Sequence, residues 1–278
     1  MIHIESLLVG LANAAPKYGL IESNPLTAEV LNSLWRAGLR KLDSAQDYSN
    51  ADEIIKESGC SWEIQTKIKI SNVESTYQEL ENCVQRASAG ANVTSLLIHD
   101  TEIYKHKNIE LILEMLKAIS LSRNISKLGI SIYRPIELER LDNLDDIDLI
   151  QFPHNPFDSN CLDWCERNIP DVPLVKQVRS IFMQGLLTKD TKSIPVNNDE
   201  LAMELASWRV WLLANKVKPV DFCLNFVGND ARIDEIVIGV ESTDQATYIL
   251  KHMNTSQEFP VFPGKVSEKL TDPRRWNY

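Results

Sequence analysis

The chain has 278 residues, is 44% hydrophobic and carries a formal net charge of −10. That length suits one large α/β barrel or two smaller domains with a sizeable core, and the acidic balance excludes the basic footprint of a nucleic-acid-binding protein. No apolar run reaches the ~18 residues of a membrane span, and no basic stretch leads into a long apolar one, so neither a span nor a signal peptide is expected. Five scattered cysteines, Cys60, Cys83, Cys161, Cys165 and Cys223, form no CxxC and read as reduced thiols of a cytoplasmic protein.

In chain order, residues 4–12 read as a first strand that runs into a loop over 13–19. Residues 25–37 have helical spacing at Leu26, Val30, Leu34 and Ala37, closed by Gly38. Leu39, Leu42 and Ala45 mark a short buried second strand, followed by a helix over 50–58 that Gly59 stops. Strand three covers 63–68, a helix 73–89 with Gly90 after it, and strand four 94–100. The alternation continues with a helix over 108–121, strand five over 127–133, and a helix over 135–141 with proline in its first turn. Strand six spans 148–154, a helix 161–168 and strand seven 172–179. Residues 188–199 read as a polar surface loop. Helices over 200–216 and 220–227 precede strand eight, 235–240, and a last helix, 243–253. The acidic cluster Asp142, Asp145, Asp146 and Asp148 reads as a solvated loop at the bottom of the barrel. Eight strand–helix pairs without a linker or internal repeat predict an α/β protein, a single (β/α)8 TIM barrel over 1–278. Residues 255–278 form a tail with no period.

Chemistry gathers at the ends of three successive strands. Asp43 is near the end of the second, with Tyr48 in the loop beyond; Lys67 is near the end of the third and His99 of the fourth. In a parallel barrel those ends converge on one face. A phenol titrates near pH ~10, and lowering that by ~3 units takes roughly 4 kcal/mol of differential stabilisation. An ammonium beside the ring supplies such stabilisation, and a carboxylate behind the lysine keeps the ammonium charged and oriented. An imidazole nearby can donate to a carbonyl oxygen. Together the four could protonate a carbonyl oxygen while hydride arrives from elsewhere. Singly, Asp43 reads as a cap, Lys67 as a solvated charge, Tyr48 as a loop aromatic and His99 as a rim histidine; jointly, four suitable types at one barrel end favour the chemical reading.

With GLRKLDSAQDY at 38–48, QTK at 65–67, LLIH at 96–99, LGIS at 128–131, LIQFP at 149–153, GLL at 185–187 and VIGV at 237–240, the sequence resembles the aldo-keto reductase family in order and over about residues 6–252. The resemblance implies Tyr48 as general acid, Lys67 and Asp43 as its tuning pair and His99 as the group that orients the carbonyl. It also implies a nicotinamide cofactor, NADP(H) first and NAD(H) as the alternative, lying across the C-terminal face of the barrel. Ser131 and Gln151 would hold the carboxamide. Arg179, Ser180, Phe182 and Gln184 would line the nicotinamide and pyrophosphate. Gly239, Val240, Glu241, Ser242 and Gln245 would approach the adenosine end, with Gly10, Leu11 and Ala12 by the nicotinamide and ribose. A GxGxxG fingerprint and a Walker A motif are absent. The segments 10–19 and 179–185 resemble bacterial members tied to surface-polysaccharide or nucleotide-sugar pathways, which implies a sugar or other small carbonyl substrate.

Three positions depart from the family pattern. Ile132 stands where asparagine is usual, which removes one carboxamide contact. Arg179 replaces an aromatic ring that stacks on the nicotinamide, a role a guanidinium can also fill. Glu241 replaces a commonly basic residue near the 2′-phosphate, where a carboxylate is repulsive. These departures leave a cofactor-binding regulatory or scaffold barrel without turnover as the competing reading. His154, at the end of strand six, reads either as a substrate contact or as a rim hydrogen-bonding group. Trp208 and Trp211 read as helix packing, and Met183 as pocket-lining or gap-filling. No metal is expected, because the first strand lacks a His-x-His pair and other strand ends lack further ligands.

Overall fold

The computed structural model describes residues 3–14, 24–70, 75–88, 91–105, 108–139, 141, 144–189, 199–253, 255, 257–264 and 266–276. Its strands are β1 (Leu7–Gly10), β2 (Lys41–Asp43), β3 (Glu63–Ile68), β4 (Val93–Ile98), β5 (Lys127–Ser131), β6 (Leu149–Pro153), β7 (Val175–Arg179) and β8 (Glu235–Ile238). All are parallel, each pairs with its sequence neighbour, and β8 closes onto β1. The helices are α1 (Ala28–Arg36), α2 (Ala51–Ser58), α3 (Tyr77–Ala87), α4 (Ile109–Ser122), α5 (Pro135–Leu138), α6 (Asn160–Asn168), α7 (Asp199–Asn215), α8 (Pro219–Gly228), α9 (Thr243–His252) and α10 (Glu268–Thr271). The closed (β/α)8 barrel is the predicted architecture.

Strand alternation explains the layers. One parity, including Val9, Leu42, Ile64, Leu96, Ile130 and Phe152, packs outward against helix residues such as Leu34, Val84, Leu116 and Ile249 in one buried cluster. The other parity faces the lumen and carries Asp43, Gln65, Lys67, Gln151, Gln177 and Glu235, all buried. All five cysteines are free thiols, and Cys161 and Cys165 lie in the outer core.

Boundaries differ from the sequence reading for local reasons. Residues Ile4–Ser6 form a 3-10 turn, so β1 starts later than residue 4. The Thr27 side chain caps α1 by accepting from the Val30 amide, and a Thr76–Glu79 capping box sets the start of α3. β7 begins at Val175, after Pro173, which lacks a backbone donor. The loops predicted over 13–19 and 188–199 lie mostly outside the described residues, as do Gly90 and Asp142. Asp148 is not simply solvated: its carboxylate accepts from Lys117 Nζ at 2.8 Å and from the Leu128 amide at 2.8 Å, tying α4 to the foot of β5.

The tail has more order than its lack of period implies. A second buried cluster holds Met183, Leu186, Leu187, Leu205, Trp208 and Phe222 with Leu270 and Trp276 of the tail. Trp208 stacks on Trp211 and donates its indole N–H to the Leu187 carbonyl, and Phe262 packs on both tryptophans. The expected packing role of the tryptophans and the gap-filling role of Met183 hold.

Close strand approach makes Gly129 a sensitive position. A Cβ there would lie 2.7 Å from the Leu149 carbonyl oxygen on β6. Gly129→Ala should therefore destabilise the barrel by roughly 1–3 kcal/mol, measurable as a lower midpoint in urea unfolding.

Candidate active site

The register of β2, β3 and β4 assembles the predicted group of four. Asp43 pairs with Gln65 across β2 and β3, and the ladder continues beyond β2 through Ser44 N–H to Gln65 O and Gln46 N–H to Lys67 O. That continuation turns the chain so that Tyr48 follows over the barrel end. Lys67 Nζ donates to Asp43 Oδ1 at 2.6 Å, to Oδ2 at 2.7 Å and to the Ser44 carbonyl at 3.2 Å. The ammonium lies 5.4 Å from the Tyr48 ring centroid. His99, one residue past β4, meets the Tyr48 ring edge-on at 6.0 Å between centroids. All four side chains line one cavity of about 320 Å3 at the C-terminal end of the strands.

Electrostatics here follow from burial. Loss of water pushes the Lys67 ammonium below its usual range, against the opposing pull of Asp43. Burial, then the Lys67 charge, lower His99 to about 4, so its imidazole is neutral at pH 7. His99 Nδ1 lies 3.5 Å from Asp47 Oδ1 without hydrogen-bond alignment, and Asp47 also pairs with Lys69 at 2.5 Å.

Of the positions expected to meet a cofactor, Gly10, Ala12, Gln151, Arg179, Ser180, Phe182, Gln184, Gly239, Glu241 and Gln245 line the same cavity. Leu11, Ser131 and Val240 are buried. Ser242 caps α9 by accepting from the Gln245 amide, while the Gln245 side chain accepts from Glu241 N–H. Ile132 packs into the outer core, and its carbonyl accepts from Arg179. The Arg179 guanidinium stacks 4.2 Å over the Tyr133 ring, whose ring also carries Arg274 of the tail at 4.3 Å. Glu241 pairs with Lys189 at 2.8 Å. A left-handed turn follows β7: Ser180, Met183, Gln184 and Gly185 all have positive φ. Gln184 Oε1 is buried there without a partner. An adjacent cavity of about 450 Å3 shares Phe182, Thr188 and Gln245 and adds Lys218 and Tyr248.

The sequence reading did not single out Asp47, Tyr133, Lys189, Gln65, Gln177 or Glu235. The last three carried a signal: polar residues at the lumen parity of buried strands. No group of three metal-ligating side chains occurs among the described residues, nor a helix long and apolar enough to cross a membrane.

Comparison with known proteins bears on the family and the fold. A sequence profile of the Aldo/keto reductase family matches residues 7–259. No curated protein matches the sequence. Among solved structures, an aldo-keto reductase from Bacillus halodurans in its holo form superposes with a TM-score of 0.67 at 15% identity, covering 91% of this chain and 88% of that one. The glycerol dehydrogenase of Gluconobacter oxydans gives 0.60 at 14%, covering 95% and 88%. An aldo-keto reductase from Pseudomonas aeruginosa gives 0.61 at 13%, covering 90% of each.

His154 does not line the cavity. It is wholly buried against Phe226 of α8, with Nε2 3.7 Å from Asp230, so neither a substrate contact nor a rim hydrogen bond describes it. Burial lowers it to about 4, against the pull of Asp230. Between that value and the ordinary ~6.5 the unfolded chain binds a proton that the folded chain does not, so stability falls as pH drops across this window, by up to about 3 kcal/mol. His154→Phe should make stability fall less steeply in urea titrations between pH 4.5 and 7, leaving the similar contribution of His99.

Proposed function

The chain belongs to the aldo/keto reductase family, and on that premise we propose that it is an oxidoreductase that reduces a small carbonyl to an alcohol, or runs the reverse, with NADP(H) as cofactor and NAD(H) as the alternative. The observation that carries this reading is the convergence of Asp43, Tyr48, Lys67 and His99 on one cavity, with a fully buried lysine–aspartate pair beside the phenol.

The residues present fit a dinucleotide. Gln184 Oε1 is a buried acceptor in need of a donor. A Cβ at Gly239 would meet nothing within 4 Å, so a ligand can approach that backbone closely. The left-handed turn after β7 brings Ser180 and Gln184 to the cavity wall, while the Met183 and Gly185 amides are taken up by the turn's own carbonyls. Gln151 and Ser131 would hold the carboxamide, Ser180, Phe182 and Gln184 the central part, and Glu241, Gln245 and Lys189 the adenosine end. Arg179 would border the nicotinamide while stacked on Tyr133. The Lys189 ammonium offsets the Glu241 carboxylate, which eases the repulsion a 2′-phosphate would meet there.

A bound dihydronicotinamide supplies the hydride. The chain supplies the proton and the geometry. Tyr48 O–H donates to the carbonyl oxygen as negative charge develops there. Lys67 stabilises the phenolate left behind, and Asp43 holds Lys67 in place. His99, neutral at pH 7, can donate a hydrogen bond to the same oxygen and fix its direction. A hydroxylated aldehyde, ketone or sugar suits a cavity edged by Asn13, His99, Tyr133 and Arg179; a structural neighbour described as a glycerol dehydrogenase acts in that chemical range. A surface-polysaccharide pathway would provide such a sugar.

Tyr48→Phe removes the proton donor and should lower kcat roughly 10²- to 10⁴-fold, with cofactor binding by tryptophan quenching unchanged. Unaltered turnover in that variant would sink the mechanism. Glu241→Gln should tighten NADPH binding more than NADH binding, by roughly 5- to 10-fold; equal effects on both would show that Glu241 does not face the 2′ position.

A further inference from the structure

Lumens of (β/α)8 barrels are ordinarily filled by layers of branched apolar side chains. This one holds a continuous polar spine. At its top, Asp43 Oδ1 accepts from Lys67 Nζ at 2.6 Å, Gln65 Nε2 at 2.6 Å and Gln151 Nε2 at 3.0 Å. In the middle, Gln177 Oε1 accepts from Gln65 Nε2 at 2.7 Å and Gln151 Nε2 at 2.6 Å. Gln177 Nε2 donates to Gln65 Oε1 at 3.1 Å and to Glu235 Oε2 at 2.7 Å. At the bottom, Glu235 Oε1 lies 3.0 Å from Lys41 Nζ and 3.6 Å from Lys127 Nζ.

The sense of every amide is set from the ends. A carboxylate only accepts. Glu235 therefore requires Gln177 to turn its N–H2 downward and its carbonyl upward. That carbonyl requires N–H2 from Gln65 and Gln151, and the second hydrogen of each then reaches Asp43. Reversing one amide would set oxygen against oxygen or N–H against N–H among buried side chains. The charge at the foot of β8 thereby decides that Asp43 meets donors on its lumen side. It also leaves Gln151 Oε1 outside the spine, where it accepts from the Ser131 hydroxyl at 3.5 Å.

We infer that Glu235 and Gln177 are positioning residues which, through the amides of Gln65 and Gln151, hold Asp43 in the orientation that fixes Lys67 beside Tyr48. This rests on the reductase reading given above. The spine relays orientation and moves no proton, since each amide keeps its own hydrogens.

Two variants test it. Gln177→Met removes the relay at similar volume. Glu235→Gln leaves a single carbonyl oxygen to serve both Gln177 above and the lysines below. The cofactor-free protein, 15N-labelled at lysine and glutamine, should show a Lys67 ammonium resonance and protected side-chain amides of Gln65, Gln151 and Gln177. In both variants that ammonium resonance should shift, and the remaining glutamine amides should exchange at least roughly tenfold faster. Turnover with NADPH and a carbonyl should fall roughly 10- to 100-fold in kcat. A purely structural spine would lower thermal stability while leaving the Lys67 resonance and kcat at wild-type values, and that result in a folded variant overturns the inference. Absence of turnover in the wild type with any carbonyl would instead overturn the reductase reading, and the spectra, which need no turnover, would still decide the spine.

Discussion

An ammonium wholly removed from water is the constraint on which the site and much of the barrel depend. Lys67 is 1% exposed, and burying such a charge costs several kcal/mol unless a partner of good geometry meets it. Asp43 is that partner, and it must come from the neighbouring strand at the right height. The β2–β3 register provides this, and its extension through Ser44 and Gln46 also carries the chain round to Tyr48. One run of parallel backbone hydrogen bonds thus satisfies the lysine and delivers the phenol to it. A slip of one residue would turn Asp43 to the outer core and leave the ammonium unpaired.

Strand alternation made the barrel legible, because outward apolar residues and lumen-facing polar ones differ by one position. Residue type at strand ends made Asp43, Tyr48, Lys67 and His99 legible. Partnerships across the lumen were not, since parity says which face a side chain takes and nothing about which strand stands opposite. Gln177 meets Gln65 from 112 positions away. Glu241 met its ammonium for the same reason only in space: Lys189 is 52 residues distant. His154 shows the limit of strand-end position as a guide. It follows β6 on the parity of Phe152, which is outward, and that parity outweighs its nearness to the mouth.

Arg179 illustrates a departure that the surroundings absorb. A guanidinium at this height puts a positive charge near Lys67, and it contributes to lowering both Lys67 and His99. Its stacking on Tyr133 and its hydrogen bond to the Ile132 carbonyl hold the charge toward β5. Tyr133 is fixed in turn from its other face by Arg274, which pairs with Asp272 and with the buried Glu137. The tail therefore reaches the site through a ring and two guanidinium groups.

The second core has a comparable relation to the turn after β7. Three non-glycine residues there, Ser180, Met183 and Gln184, take left-handed backbone conformations, each at a cost of about 1–3 kcal/mol. Such a turn persists only where its surroundings over-determine it. Met183, Leu186 and Leu187 are buried among Trp208, Leu205 and the tail residues Leu270 and Trp276. The carbonyls of Leu187 and Leu186 are held by Trp208 and by Arg209. Burial of the apolar half of the turn thus stabilises the strained half, of which Ser180, Gln184 and Gly185 line the cavity. The aromatic cluster of α7, α8 and the tail lies outside the site, yet it is what allows the backbone beside the site to hold a shape that the chain alone would not adopt.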